Sequence, residues 1–174
     1  MTRRSLVWAP GVLRAQYEES RGETPWVPTP DDVIETMLRM AKVTRRDRVY
    51  DLGCGDGRIL IAAAKKYGCH GVGIDIEPER IKESREGARS AKVARLLRFQ
   101  VGDFHQTSVR DATVVVIYLY TRVMTKLKPK LLAELKPGTR LVAFQFNGFG
   151  DWAPAEVDRQ HHYPVYFWMA PPRK

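Results

Sequence analysis

Three acidic residues and a glycine-rich loop have types and positions that could bind a ligand. Asp51 comes just before the loop Gly53-Cys54-Gly55-Asp56-Gly57, Asp75 ends the next apolar run, and Asp103 follows a third. Glycines let the backbone turn tightly and let a ligand approach without a Cβ in the way. Asp75 is suited to accept hydrogen bonds from both hydroxyls of a ribose, and Asp103 to accept one from an adenine amino group. Together these residues predict a site for a nucleoside.

The spacing of the loop narrows the chemistry of that ligand. The three glycines follow the pattern G-x-G-x-G, not the G-x-G-x-x-G of dinucleotide-binding proteins. Asp51 at the entrance of the loop is unfavourable for a pyrophosphate but suits an ammonium or a sulfonium group. Ile76 and Phe104 each follow one of the other acids and are placed to pack against a base. A cationic nucleoside is therefore the expected ligand.

The elements that must position these residues follow from the apolar pattern. Five apolar runs predict strands, at residues 48–52, 71–76, 96–101, 112–119 and 140–146. The fourth run shows no polar alternation, which is typical of a central parallel strand buried on both faces. Two more runs, at residues 156–161 and 165–169, are joined by too little chain for a crossover helix and predict an antiparallel edge hairpin.

Helical patterns separate the strands. Thr29 is expected to cap a first helix that begins at Pro30, and a second helix follows the glycine loop. A third is expected from Pro78 to about Ala94 and a fourth from Pro129. The apolar residues expected on the buried face of the fourth helix are Leu131, Leu132 and Leu135. The predicted fold is α/β: a doubly wound, seven-stranded, mostly parallel sheet with an antiparallel C-terminal edge hairpin, binding its ligand at the carboxyl ends of the strands.

Composition excludes several classes of protein. The 174 residues are 44% hydrophobic and 10% aromatic, which excludes a disordered chain, and they contain no apolar run long enough for a transmembrane segment. Cys54 and Cys69 form no C-x-x-C pair and have no histidine at zinc spacing, so no metal site or disulfide framework is expected, and a reducing, cytoplasmic location fits best. Residues 1–24 are interpreted as an N-terminal extension, with a transit peptide as the alternative, and residues 25–174 as one domain.

The net charge of +9 has two interpretations. It arises from 29 basic and 20 acidic residues, and the basic ones are spread through the helical stretches. They form either a solvated surface or a surface that attracts an acidic partner such as RNA. The oligomeric state is not predicted.

Three segments resemble the class I S-adenosylmethionine-dependent methyltransferases: Val49–Ile59, Gly71–Asp75 and Gly102–Phe104. Further segments are similar to a smaller group within that class, the archaeal protein-lysine methyltransferases and the mitochondrial lysine methyltransferases of the ATP synthase c-subunit. These segments are Trp26–Pro30, Ala112–Val115, Leu127–Leu131 and Lys136–Arg140. The resemblance extends from about Pro25 to Met169.

The resemblance implies S-adenosylmethionine as the cofactor and assigns residues to its parts. The methionine part is expected to contact Thr29, Asp51, Gly53 and Gly55, and Gly57 is expected to bind the cofactor as part of the same loop. Asp75 is expected to bind the ribose, and Asp103 with Phe104 the adenine, against which Ile76 is also placed to pack. The chain departs from the group at Trp26, where tyrosine is usual, at Arg122, where asparagine is expected, and at residues 147–155, which are too short for the usual last helix. These departures concern the methyl acceptor rather than the cofactor.

A lysine side chain of a protein substrate is the expected acceptor. Its amine must lose its charge to react, and an apolar aromatic channel favours the neutral form. Tyr118 and Tyr120 follow the fourth strand and are the predicted catalytic residues. The aromatic residues predicted to line the channel, which follow the fifth strand, are Phe146, Phe149 and Trp152. His161 and His162 are expected to be surface residues of the edge hairpin.

Two other acceptors stay open. The net charge favours a nucleic acid, but Ile117-Tyr118-Leu119-Tyr120 lacks the prolines and the amide that enzymes acting on base amino groups usually place after this strand. A small molecule is the second alternative, although enzymes of that kind often carry an added lid, for which this chain has little room.

Overall fold

The structure, a computed structural model, describes residues 27–172, so the predicted extension and its boundary lie outside the described residues. The strands are β1 (Arg48–Leu52), β2 (His70–Asp75), β3 (Leu97–Val101), β4 (Val114–Ile117), β5 (Arg140–Phe144), β6 (Glu156–Asp158) and β7 (Val165–Met169). The α-helices of this part of the chain are α1 (Asp31–Met40), α2 (Arg58–Tyr67), α3 (Pro78–Ser90) and α4 (Thr121–Glu134). A single 3₁₀ turn, Ala94–Leu96, precedes β3.

All seven strands form one sheet in the order β3-β2-β1-β4-β5-β7-β6. The first five are parallel, whereas β7 is antiparallel to both β5 and β6, so the predicted fold and its antiparallel hairpin are confirmed. The strand order reverses between β1 and β4, and a crevice for ligands forms at the carboxyl ends of the strands at such a point. Leu52 is level with Ile117 there, so the loops after β1 and β4 begin side by side.

The core has a layer on each face of the sheet. Helices α1, α2 and α3 pack on one face, against residues that include Val49, Val116 and Phe144. Helix α4 packs on the other face, against residues that include Leu52 and Ile117. All four residues of β4 are fully buried, as its unbroken apolar run predicted. Within residues 27–172, the helices are too short or too polar to cross a lipid bilayer.

Two predicted helix starts are wrong. Pro30 has an extended backbone, so it is the N-cap of α1 and Thr29 is not. Helix α4 begins eight residues before Pro129, which lies inside it. The buried side chains Val123, Met124 and Leu127 precede Pro129 on the same face as Leu131, and their burial outweighs the missing proline N–H.

The remaining differences concern the ends of elements and one leucine. Leu132, expected in the core, is 38% exposed, because α4 presents Leu131 rather than its neighbour to the sheet. Helix α3 ends at Ser90 instead of about Ala94, since Lys92 adopts a positive φ of 60° that a helix does not tolerate. Strands β4, β5 and β6 each end earlier than predicted, and the residues released form loops at the carboxyl edge.

An ion pair joins the elements at the opposite edge of the sheet. The Arg140 guanidinium pairs with the buried Asp47 carboxylate and donates to the carbonyls of Ala41 (2.7 Å) and Lys42 (2.9 Å). Burial alone would raise the pKa of Asp47, but hydrogen bonds from Thr113 and Thr44 and the charge of Arg140 hold that pKa below its ordinary value. This pair fixes the end of α1 to the starts of β1 and β5.

We expect Arg140→Ala to lower the free energy of unfolding by about 2–3 kcal/mol, because it removes the counter-charge of a buried carboxylate and the donor of two carbonyls. Urea titration of the purified protein measures this change. Arg48→Ala is the matched control, since Arg48 pairs with Asp111 at 3.5 Å in solvent and should cost less than about 1 kcal/mol. Equal losses in the two variants would contradict the assignment.

Candidate functional site

The glycine loop is fixed to the end of β2 by backbone hydrogen bonds. The N–H groups of Gly53 and Cys54 donate to the carbonyl of Ile74, at 2.8 and 3.0 Å. All three loop glycines have a positive φ, which L side chains rarely adopt. A Cβ on Gly57 would also lie 2.7 Å from the ring of Phe99, so this glycine is required by packing behind the loop.

Asp51 is a buried carboxylate with an unsatisfied oxygen. It is 2% exposed, and among the side chains that the structure describes its Oδ2 is the buried oxygen or nitrogen without a hydrogen-bond partner. Burial, with smaller contributions from the charges of Asp75 and Asp56, raises the pKa of Asp51 to about 8. A bound cation would supply the missing partner and restore the charged form, so this position fits a cationic ligand.

Asp75 lies at the end of β2 and faces the same loop. Its Oδ2 accepts the N–H of Gly55 at 2.8 Å, and its Oδ1 accepts the N–H of Glu77 at 3.0 Å. Burial raises its pKa, and the two backbone donors partly oppose that rise. A carboxylate has about four acceptor sites, so Asp75 retains capacity for two ligand hydroxyls while holding the loop.

The loop after β3 comes next to the glycine loop. Asp103 accepts the N–H of His105 at 2.7 Å, which orients its carboxylate. The ring of Phe104 lies 4.0 Å from the position of a Cβ on Gly53, and Ile76 is half-buried directly after β2. The structure thus brings the residues predicted for an adenine to the same edge as Asp51 and Asp75.

Arg58, which the sequence analysis did not single out, contacts both the glycine loop and the segment before α1. The Arg58 side chain binds both carboxylate oxygens of Asp56, with Nη2 and Oδ2 at 2.7 Å. It also donates to the carbonyl of Thr29 at 3.4 Å, and Thr29 itself is buried. Arg58 therefore connects the segment before α1 to the glycine loop.

An aromatic cluster lies beside the loop, at the carboxyl ends of β4 and β5. We define it by its ring contacts, which join Tyr118, Tyr120, Phe144, Phe146 and Tyr163. Tyr118 is 4.9 Å from Phe144 and Tyr120 is 5.0 Å from Phe146, between ring centroids. Tyr120 and Tyr163 are 38% and 43% exposed, so one side of the cluster faces solvent. Such a surface suits the stem and the cationic head of a long amine.

Tyr118 is polar at one end and packed at the other. Its hydroxyl donates to Oε1 of Gln145 at 2.9 Å. Burial, with the neighbouring Tyr120 and Tyr163, raises the pKa of Tyr118, so the phenol is neutral near pH 7. The sequence analysis singled out neither Gln145 nor Tyr163. The position of Tyr163 was predictable, because an antiparallel hairpin beside β5 places the turn of the hairpin at the carboxyl end of β5.

Three residues predicted near the channel or on the surface lie elsewhere. Phe149 is fully buried against Trp168, with centroids 5.0 Å apart, because it fills the core beside α4. Trp152 stacks on Phe149 at 5.2 Å and accepts the Trp168 indole N–H at its carbonyl, so among the described rings it does not join the aromatic cluster. His161 packs against α1 and is half-buried rather than fully exposed to solvent. Its ring nitrogens form hydrogen bonds with Thr36 at 2.8 Å and Asp32 at 3.1 Å.

Comparisons with known proteins show the family of this chain. The family model of the ANTKMT methyltransferase domain matches residues 51–156. The protein-lysine N-methyltransferase of Saccharolobus islandicus is 44% identical over 150 residues, which cover 83% of this chain and 92% of that protein. The mouse lysine N-methyltransferase of the ATP synthase c-subunit is 36% identical over 75% of this chain, which spans only 51% of that relative.

A solved structure is also similar. An RNA methyltransferase from Salinibacter ruber, in complex with S-adenosyl-L-homocysteine, is 43% identical with a TM-score of 0.83. The match covers 85% of this chain and 96% of that one. The fold is thus that of an S-adenosylmethionine-dependent methyltransferase. Within that class, the chain belongs to the family of the ANTKMT methyltransferase domain.

We expect Asp51→Asn to weaken S-adenosylmethionine binding about 10- to 100-fold, because the buried counter-charge is removed. The same change should stabilise the free protein by about 1–3 kcal/mol at pH 9. The pKa of Asp51 in the folded protein lies above its ordinary value of 3.8, so wild-type stability falls relative to the variant as the pH rises from about 4 to about 8. Isothermal titration calorimetry and urea unfolding between pH 5 and 9 measure the two effects.

Asp111→Asn is the control, since Asp111 is exposed at the other edge of the sheet. An Asp51→Asn protein that is less stable than wild type at pH 9, or that binds the cofactor normally, would contradict the assignment.

Proposed function

We propose that this protein transfers the methyl group of S-adenosylmethionine to the side-chain amine of lysine in a protein substrate. The observation that carries the proposal is the aromatic cluster, which opens directly beside the loop that fits a cation. Leu52 and Ile117 are the last residues of β1 and β4 and pair in the sheet, so Gly53 and Tyr118 begin neighbouring loops. The names of the relatives from S. islandicus and mouse support the same acceptor.

We name the crevice at the carboxyl ends of β1, β2 and β3, with Asp51, Asp75 and Asp103, the acidic crevice, and we propose that it holds the cofactor along its length. Asp51 faces the cationic methionine end, together with Gly53, Gly55 and the segment at Thr29. Asp75 binds the ribose hydroxyls with the acceptor capacity that its two backbone bonds leave. The residues proposed to hold the adenine are Asp103, Ile76 and Phe104. Gly57 supports the loop through its packing on Phe99.

The aromatic cluster is proposed to prepare the acceptor. Rings that remove water from the amine favour its neutral form, and only the neutral form has a lone pair for the displacement. When bound, the cofactor would supply an electrophilic methyl on a sulfonium: the ammonium releases its proton to solvent at the entrance, the S–C bond breaks as the N–C bond forms, and S-adenosylhomocysteine leaves, so no covalent enzyme intermediate is needed. Tyr118 orients the amine as a neutral hydrogen-bonding group, since its raised pKa excludes it as a base near pH 7. Tyr120 and Phe146 line the entrance, where cation–π contacts attract the incoming ammonium.

RNA is the second candidate acceptor, on two specific grounds. The similar structure from Salinibacter ruber is described as an RNA methyltransferase, and this chain carries a net charge of +9. A basic protein binds RNA through its phosphates without methylating it, so charge alone does not decide between the acceptors. The experiment must therefore identify the methylated atom.

We expect label from methyl-tritiated S-adenosylmethionine to enter proteins when the purified enzyme is incubated with a cell lysate. Acid hydrolysis and chromatography of the labelled proteins should recover methyl-lysine, because the proposed acceptor is the lysine amine. The Asp51→Asn protein, with its weaker expected binding of the cofactor, should incorporate less label at a subsaturating cofactor concentration. Label that ribonuclease releases, or label recovered as small molecules, would overturn the lysine acceptor.

We expect Asp75→Ala to weaken S-adenosylmethionine binding by about 1–3 kcal/mol, the usual cost of losing hydrogen bonds to a charged group. Calorimetric titration measures this change, and Asp111→Ala serves as the matched exposed carboxylate. Wild-type affinity in the Asp75→Ala protein would refute the ribose assignment.

A further inference from the structure

Gln145 has an unusual backbone at the carboxyl end of β5. Its φ is +69°, a value that is uncommon for a residue other than glycine. The N–H of Phe146 donates to the carbonyl of Phe144 at 2.8 Å, which makes Gln145 the central residue of a γ-turn in its rare, positive-φ form. Strained backbone of this kind persists only where the surrounding contacts hold it in place.

Two contacts of Gln145 hold this turn. Its backbone N–H donates to the carbonyl of Pro164 at 2.8 Å, in the turn between β6 and β7. Its side-chain Oε1 accepts the hydroxyl of Tyr118 at 2.9 Å, at the end of β4. Gln145 thus joins the three segments that carry the aromatic cluster, the ends of β4 and β5 and the β6–β7 turn.

The bond to Gln145 fixes where the Tyr118 hydroxyl points. A phenol has one hydrogen to donate, and here Gln145 accepts it. The lone pairs of the phenol oxygen therefore remain for another donor, such as the N–H of an approaching amine. Without Gln145 the hydroxyl could rotate and donate to that amine, and this would occupy the lone pair needed for attack.

We propose that Gln145 is a positioning residue for methyl transfer, which holds the Tyr118 hydroxyl as an acceptor toward the incoming lysine amine. This inference rests on the proposed function, because it assigns the direction of a hydrogen bond to that acceptor. The strained turn of Gln145 and its bond to Tyr118 carry it.

Gln145→Gly separates this role from a role in stability. Glycine adopts a φ of +69° without strain, so we expect the variant to melt at the same temperature as wild type or higher, with unchanged affinity for S-adenosylmethionine. The initial rate of methyl-lysine labelling, with saturating cofactor and a fixed amount of lysate protein, should fall about fivefold to tenfold. Lys92→Gly is the matched control, since Lys92 has a φ of 60° at the far edge of the sheet and should keep the full rate.

A double-mutant cycle with Tyr118→Phe tests whether Gln145 acts through the hydroxyl. In the Tyr118→Phe background, Gln145→Gly should cause no further loss of rate, because the hydroxyl that it positions is absent. A merely structural role would lower the rate by the same factor in both backgrounds, and that result would overturn the proposal. So would a Gln145→Gly enzyme with the wild-type rate.

A spectroscopic readout is independent of turnover. We expect Gln145→Gly to lower the pKa of Tyr118, because its neutral form loses a hydrogen bond. Carbon-13 NMR of ring-labelled tyrosine, assigned with Tyr118→Phe, measures this pKa, and an unchanged value would refute the hydrogen bond. Failure of the proposed function would look different, since the wild-type enzyme itself would then leave no methyl-lysine.

Discussion

The unpaired carboxylate of Asp51 is the constraint to which the rest of the site is fitted. It lies in the central strand β1, level with Gly73 on one side and Val116 on the other, and it is only 2% exposed. In the free protein a buried carboxylate without a partner is unfavourable when charged, and the raised pKa of Asp51 reflects this cost. In the proposed complex a bound cation would offset this cost, so cofactor binding would stabilise the fold.

The buried aspartates near the two ends of β1, Asp47 and Asp51, have opposite environments. Asp47, just before the strand, is buried like Asp51, but it receives Arg140 and hydrogen bonds from Thr44 and Thr113, and its pKa is lowered. Asp51, four positions later, has an open oxygen and a raised pKa. Asp47 thus stabilises the amino edge of the sheet through its ion pair, whereas Asp51 leaves an acceptor oxygen for a ligand at the carboxyl edge. The difference comes from the partners that the neighbouring strands supply.

Local pattern was sufficient to predict the parallel half of the fold. The unbroken run of β4, the glycines after β1 and the acids after β2 and β3 each lie within a few residues of the element that they mark. What the sequence did not predict depends on contacts between distant residues. Arg58 with Thr29, Gln145 with Pro164, and Phe149 with Trp168 are examples. The predicted start of α4 at Pro129 was wrong for the same reason. Burial of the residues before Pro129 outweighed the local preference of proline for the first turn of a helix.

The antiparallel strands explain why the acceptor side is harder to predict and more open to change. A parallel sheet brings only the loops after its strands to the ligand edge, and in this protein those loops carry the proposed cofactor-binding residues and Tyr118. Because β7 runs opposite to β5, its beginning and the preceding turn reach that same edge and add Tyr163 to the aromatic cluster. The hairpin is held there by His161 on α1 and by the Gln145 N–H. Changes in this turn would therefore alter the proposed acceptor opening while β1, β2 and β3 keep the proposed cofactor site intact.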